Sequence, residues 1–391
     1  LPTPTVEWSG PTQEGPIVVL TEMLVDAIPL GQVLRQSKPD AKRQHLHGLA
    51  RLLARLHESG ICQQDLHPDN FMTHQGQLVI IDPARIRVHR STVSHRHALS
   101  QIALLLSQFP DLELAQQEAL YATYAKARNW ALTAADMELI QAYSRRHTGR
   151  RMRRLLRKYQ RSNTRHSCID GPGLRGMLDH ALLGTGDPLR LVQSLDRLIE
   201  TGDPLKSGNT ASVSRATING IDCVIKRYHH KSLLHALRQS VRRSRPRRCW
   251  LSAHRLRALA LPTPRPLGFV EILRGRLLWR GYLITEYVAG QELQDALAAC
   301  GDNKAAYGRI LTAVGRLIER LGAARIAHGD LKPRNFLVTP EGPVLIDLDS
   351  MRAGGSRRGF ANRRQRDLAR FDRASANSKA QAGLSTPKRQ S

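Results

Sequence analysis

Apolar positions fall into two periods along this chain. Leu46, Leu49, Leu52, Leu53 and Leu56 recur at the spacing of one helix face, and Ile310, Val314, Leu317 and Leu321 do so again late in the sequence. Between them the period shortens. SVSRATI, the pair Asn219-Gly220 and IDCVIKRY alternate as the two strands of a tight hairpin, for which Asn-Gly is the strongest short signal. A basic, helix-like stretch follows from His235 to Leu259, with Pro246 expected to interrupt it. A further helical region runs from Ala98 to Tyr143.

These patterns occur twice, in the same order. LPTP stands at Leu1 to Pro4 and at Leu261 to Pro264; VVLTE ends at Glu22 and YLITE at Glu286. HESGICQQDLHPDNFMT around Asp65 parallels GAARIAHGDLKPRNFLV around Asp330, and LVIIDP at Asp82 parallels VLIDLD at Asp347. The offset is 260 residues at LPTP, 264 at the Glu pair and 265 at the later positions, so two parallel readings differ by a net five-residue insertion. Before the second LPTP stands a segment from about Leu205 to Ala260 that the first copy lacks. The first copy is therefore expected to miss most of an amino-terminal lobe, and the start at Leu1 rather than Met suggests that the true beginning lies upstream.

The expected domains are residues 1–165, an incomplete module; 166–188, a linker marked by the Gly and Pro of CIDGPGLRG; 189–373, a second module with both lobes; and 374–391, a polar disordered tail. With 391 residues and 41% apolar composition, two compact units, or one large two-lobed unit with extra segments, are expected rather than a wholly disordered chain. Cys62, Cys168, Cys223, Cys249 and Cys300 are scattered, with no His/Cys cluster at zinc-ligand spacing, which fits a reduced cytoplasmic home. No apolar run approaches the ~18 to 20 residues of a bilayer span.

Phosphoryl transfer needs a phosphate cradle, metal ligands and a carboxylate that orients or deprotonates the attacking hydroxyl. The second copy offers these in order. Asp330 lies on a loop after a helix and can act as base; Asn335, five residues on, and Asp347, at the end of a following strand, are oxygen donors suited to Mg²⁺. Lys226 ends the strand CVIK, from which its ammonium can reach the phosphates of ATP. KSGNTASV, with Gly208 its one glycine, is a candidate phosphate-covering hairpin. In the first copy Asp65, Asn70 and Asp82 match the base and metal positions, without a strand Lys in the residues given.

The arrangement resembles the bacterial lipopolysaccharide core (heptose/Kdo) kinases of the protein-kinase-like superfamily. The residues that carry the resemblance are KRY after the strand Lys, SRPRRCWLSAHRLRALALPTPRPLGFVE, YLITEYVAGQEL and HGDLKPRN in copy two, and the D-x-H variant Asp65 and His67 in copy one. It implies an α+β, bilobal kinase-like fold in two tandem copies, ATP and Mg²⁺ as cofactors, and Glu286 at the hinge strand beside the adenine. The implied reaction is phosphorylation of a heptose or Kdo hydroxyl, at the cytoplasmic face of a Gram-negative inner membrane. There are two departures: no acidic residue lies between Asp222 and Glu271 to supply the usual helix partner of the strand Lys, and Asp347 is followed by Leu348-Asp349 rather than Phe-Gly.

Charge adds the acceptor side. A formal +27, with arginine concentrated at Arg145 to Arg165 and Arg238 to Arg248, favours phosphorylated glycolipid or an anionic membrane surface. Nucleic acid is not expected, because no recognition motif accompanies the arginines and aromatics are only 5% of residues. Two other functions stay open: a protein Ser/Thr kinase, from the D-x-K pairing of Asp330 and Lys332, and a membrane-bound pseudokinase scaffold, from the missing helix Glu.

Overall fold

A computed structural model of the protein describes residues 3–11, 17–82, 85–208, 211–229, 244–275 and 277–383. It is an α+β chain that divides into two compact units, Leu1–Arg151 and Met152–Ser391.

The first unit opens with the antiparallel pair β1 (Val6–Pro11) and β2 (Ile17–Thr21). Then come β3 (Ile28–Pro29), α1 (Leu30–Gln36), α2 (Pro39–Glu58), β4 (Ile61–Gln63), β5 (Phe71–His74), β6 (Gln77–Ile80) and β7 (Ile86–Val88). Helices α3 (His95–Leu106) and α4 (Leu114–Ala127) follow, and α5 (Ala134–Lys158) runs across the boundary at Arg151 into the second unit. Pro39 starts α2, where its missing N–H costs nothing, and the predicted leucine face of α2 is buried against α3 and α4.

The second unit begins with β8 (His166–Gly171), β9 (Leu174–Asp179), α6 (His180–Leu183) and α7 (Pro188–Thr201). β10 (Asp203–Gly208), β11 (Ala211–Ile218), β12 (Ile221–Tyr228), α8 (Arg245–Ala258), β13 (Pro266–Arg274) and β14 (Leu277–Glu286) follow. Strands β8 to β14 form one seven-stranded antiparallel sheet in the order β10-β11-β12-β14-β13-β9-β8. The side chain of Asp187 caps α7, accepting from Leu189 N at 3.0 Å, and Val192, Leu195 and Ile199 bury its apolar face on the sheet. Beyond the sheet lie β15 (Gln291–Glu292), α9 (Leu293–Ala298), α10 (Lys304–Ala323), β16 (Ile326–Ala327), β17 (Phe336–Thr339), β18 (Gly342–Leu345), β19 (Arg352–Ala353) and α11 (Arg357–Gly383).

Each unit carries two small sheets. In the first unit β3-β5-β6 form one small sheet and β4-β7 another; in the second the same places are taken by β15-β17-β18 and β16-β19. His89 N donates to Gly60 O at 2.8 Å in one and Gly354 N to Arg325 O at 3.0 Å in the other, the 265-residue offset again.

Three expectations need correction. The segment expected as a linker, residues 166–188, is the β8–β9 hairpin at the edge of the sheet; its Gly and Pro serve a turn, and Met177 and Leu178 are buried. The second compact unit accordingly starts at Met152, not near Leu189. Pro246 does not interrupt a helix but stands in the first turn of α8, with Ser244 as cap accepting from Arg247 N at 3.2 Å. The tail expected to be disordered from residue 374 continues α11 to Gly383, while 384–391 lie outside the described residues. So do residues 230–243, which hold the first part of the basic stretch.

Candidate active site

The predicted hairpin β11–β12 forms with Ile218 opposite Ile221 across Asn219-Gly220. Strand alternation then puts Lys226 and Tyr228 on one face of β12. The Lys226 Nζ lies 2.7 Å from Asp347 Oδ1 and 3.1 Å from Asp349 Oδ2, and 5.1 Å from the centre of the Tyr228 ring. Asp347 has left-handed backbone, φ 58 and ψ 64, and a single 3-10 turn over Leu348–Ser350 follows it. That reversal brings two carboxylates two residues apart to the same ammonium. Asp349 Oδ1 in turn accepts from Tyr228 Oη at 2.7 Å and from Cys249 Sγ, on α8, at 2.8 Å.

The electrostatics follow from this packing. Burial alone would push the Lys226 ammonium down, but Asp349 and then Asp347 outweigh it and hold it above the usual lysine range. Burial would likewise raise Asp349; Lys226 and the donors Cys249 and Tyr228 instead keep its carboxyl below the usual range. Burial pushes up both Tyr228 and Cys249; Cys249 and Asp349 raise the phenol further and Asp349 the thiol, so both stay protonated and can donate.

A second strand of hydrogen bonds fixes the Asp330 loop. Asn335 is buried and its Nδ2 donates to Asp330 O at 2.8 Å, which leaves the amide oxygen as the atom available to a cation. Ile346 N donates to Asn335 O at 2.9 Å, and the buried His328 ring holds Ile346 O at 3.1 Å, so the Asp330 and Asp347 motifs are stitched through residue 346. Gly329 sits at φ +84, where a Cβ would meet Ser350 O at 2.5 Å, and its N–H donates to both Asp367 oxygens on α11, at 2.9 and 3.1 Å. Asp330 itself is half-exposed and faces Lys332 Nζ at 2.9 Å.

The remaining predicted residues lie apart from this cluster. Gly208 ends β10 opposite Ala211, and the hairpin residues Asn209 and Thr210 are outside the described residues. Glu286 ends β14 opposite Cys223, with its side chain exposed and its N–H on Arg265 O at 2.9 Å.

In the first unit Asn70 Nδ2 donates to Asp65 O at 2.9 Å, the counterpart of the Asn335 bond. Ile81 N donates to Asn70 O at 3.1 Å, the counterpart of Ile346 N on Asn335 O, but the charged side chains are partnered differently. His67 turns to Asp69, whose N–H it accepts at 3.3 Å, and Asp65 faces Arg85 at 3.9 Å. Asp82 is not among the left-handed residues, as expected of a residue before proline, and the position matching Asp349 is Ala84.

The sequence profile of the lipopolysaccharide kinase (Kdo/WaaP) family matches residues 13–124 and 196–386, most of the chain. The chain belongs to this family. As a lipopolysaccharide kinase it uses ATP to phosphorylate a sugar hydroxyl of the lipopolysaccharide core. It is similar to the 3-deoxy-D-manno-octulosonic acid kinase of Xylella fastidiosa (strain M12), at 26% identity over 190 residues that span 45% of this chain and 70% of the relative. A solved structure of WaaP in complex with acyl carrier protein aligns at 19% identity and a TM-score of 0.36, over 49% of this chain and 76% of that one.

Two groups of residues were not picked out by motif reading. Tyr228 was visible in KRY as the same-face neighbour of Lys226; nothing local marks Cys249, which reaches Asp349 only through the fold. Nor does spacing disclose Cys62, His89 and His97, whose ligand atoms all lie within 4.8 Å of one another, against the expectation of no His/Cys cluster. They come from a strand, the segment after its partner strand, and a helix start.

Proposed function

We propose that the second unit is a bilobal, protein-kinase-like catalytic module, and that the first is a duplicate of its carboxy-terminal part. In this reading Asp330 is the base: it takes the proton of the acceptor hydroxyl as the hydroxyl oxygen bonds to the γ-phosphorus of ATP and the bond to the ADP oxygen breaks. Lys226 holds the α- and β-phosphates. Asn335 and Asp347 offer hard oxygen donors that fit Mg²⁺, which supplies charge neutralisation to the phosphates when bound. Gly208 and the backbone next to Glu286 lie at the nucleotide side of the sheet. In the first unit Asp65, Asn70 and Asp82 keep the sequence pattern of base and metal ligands.

The observation that carries the reading is the partner set of Lys226. Asp349 fills the place of the acid that α8 lacks, so the strand lysine is fixed at the motif-bearing Asp347 without a helix Glu. This favours an active module over a scaffold.

We take Kdo as the acceptor because the curated relative is named for it, with heptose the alternative within the family. The exposed arginines of α5, among them Arg153, Arg154 and Arg157, are a suitable surface for anionic lipid headgroups, in keeping with a peripheral location at a cytoplasmic membrane face. No helix among the described residues is long and apolar enough to cross a membrane.

The test is transfer of label from γ-labelled ATP to Kdo-bearing lipid A by the full chain and by Asp330→Asn. Labelled glycolipid that depends on Asp330 supports the proposal. Label on protein alone, or transfer that persists in the variant, contradicts it.

A further inference from the structure

The first unit holds a constellation that the kinase reaction does not use. Cys62 lies in β4, buried to 1% exposure, in register with Arg87 of β7. His89 follows β7, and His97 stands in the first turn of α3; both are exposed. One ligand atom from each lies within 4.8 Å of the others, and the two imidazole rings meet edge to face with centroids 5.6 Å apart.

The backbone around them is held independently of any ion. Gly60, at φ +74, lets the chain cross so closely that a Cβ would meet His89 O and Ser91 O, each at 2.6 Å. His89 N donates to Gly60 O and Val93 N to His57 O, both at 2.8 Å. The loop that carries His89 is therefore pinned on the turn that precedes Cys62. Beside it His57 is fully buried, its Nδ1 on Tyr124 Oη at 2.7 Å and its Nε2 without a hydrogen-bond partner.

We propose that Cys62 Sγ and one ring nitrogen each of His89 and His97 form a site for a borderline-soft divalent cation, Zn²⁺ by its ligand chemistry, with a fourth position open to water. One thiolate and two imidazoles are a set that tetrahedral Zn²⁺ prefers and that Mg²⁺, a hard ion, does not. Metal bonds of about 2.0 to 2.3 Å put tetrahedral ligands roughly 3.3 to 3.8 Å apart. The exposed rings can close that gap by rotating, whereas the strand holds Cys62 fixed.

The site would clip the β4–β7 pair to the start of α3. Among the described residues the second unit has no such set: the positions matching Cys62 and His89 are Ala327, in β16, and Gly354, just after β19. It ties its motif to the following helix by Asp367 on Gly329 N instead, whereas the inward positions of α3 in the first unit are the apolar Leu99, Ile102, Leu105 and Leu106.

The experiment is Co²⁺ substitution in the full chain after chelation, read by the near-ultraviolet thiolate-to-cobalt band, with Zn²⁺ displacement giving affinity. We expect about one equivalent per chain. The band should vanish in Cys62→Ala and persist in Cys168→Ser. His89→Gln and His97→Gln, at exposed positions that leave the fold intact by circular dichroism, should each weaken Zn²⁺ at least about tenfold. No thiolate band in the unaltered chain, a band that survives Cys62→Ala, or unchanged affinity in both histidine variants would each overturn the proposal.

Discussion

Lys226 Nζ stands 3.1 Å from Asp349 Oδ2, and the other oxygen of that carboxylate is held by Tyr228 and Cys249. A strand lysine, a strand tyrosine, a helix cysteine and a motif aspartate thus form one group, the tyrosine and cysteine buried and the ion pair part-buried. A buried ion pair that loses one partner leaves the other uncompensated. Asp349→Asn keeps the shape and the acceptor oxygen but removes the charge, so Lys226 should lose its hold at the phosphates and kcat/KM for ATP should fall. A double-mutant cycle with Lys226→Met should give a coupling of about 1 to 3 kcal/mol. Additive effects would show that Asp349 does not act through Lys226.

Asp330→Asn preserves the loop, whose bond from Asn335 goes to the Asp330 backbone oxygen and not to the side chain. The variant should therefore bind ATP as before while kcat falls by about 10² to 10⁴. Equal losses in nucleotide binding and in turnover would assign Asp330 a structural place instead.

Gly329→Ala tests the packing behind that loop. At φ +84, with Ser350 O 2.5 Å from the added Cβ, the substitution should cost roughly 1 to 3 kcal/mol of stability and displace Asp330. Denaturant unfolding measures the first effect. A variant with unaltered midpoint and turnover would mean that the Gly329–Ser350 approach is not needed.

Two buried histidines set an acid limit. Burial, with Arg128 and His97, lowers His57 to about 3, and burial, with His166 and Arg257, lowers His254 to about 2, from an ordinary 6.5. Both are neutral in the fold and protonate more readily when unfolded. Their contribution is thus fully present above pH 6.5 and is lost progressively as pH falls toward the folded values. Each should add a slope of about 1.4 kcal/mol per pH unit below the unfolded pKa. Melting followed between pH 7 and 5 should show this loss, and it should be shallower in His254→Phe, which keeps the stack on Tyr159 whose ring centre lies 3.5 Å away. A melting temperature flat over that range contradicts the neutral, buried assignment.

Much of this was legible from residue order alone. The helix faces of α2 and α10, the β11–β12 hairpin and the Asp330, Asn335 and Asp347 series are local signals, because period, turn pair and motif spacing act within a few residues. The β8–β9 hairpin was misjudged since Gly and Pro mark a turn as readily as a linker, and only the neighbouring strand β13 makes those residues part of a sheet. Pro246 was misjudged because a proline breaks a helix in its interior but suits its first turn, and the boundary was not local. The partner of Lys226 was sought on the following helix, where the chain has no acid. It lay 123 residues away, brought in by the left-handed turn at Asp347.

Mg-ATP binding by calorimetry, on the full chain and on Asp347→Asn, tests the central claim most directly. The second unit is proposed to carry the nucleotide site, with Asp347, beside Lys226, as a metal ligand. We predict one Mg²⁺-dependent ATP site per chain, lost or severely weakened in the variant. Binding that survives Asp347→Asn unchanged, or no binding by the unaltered chain, would contradict the account.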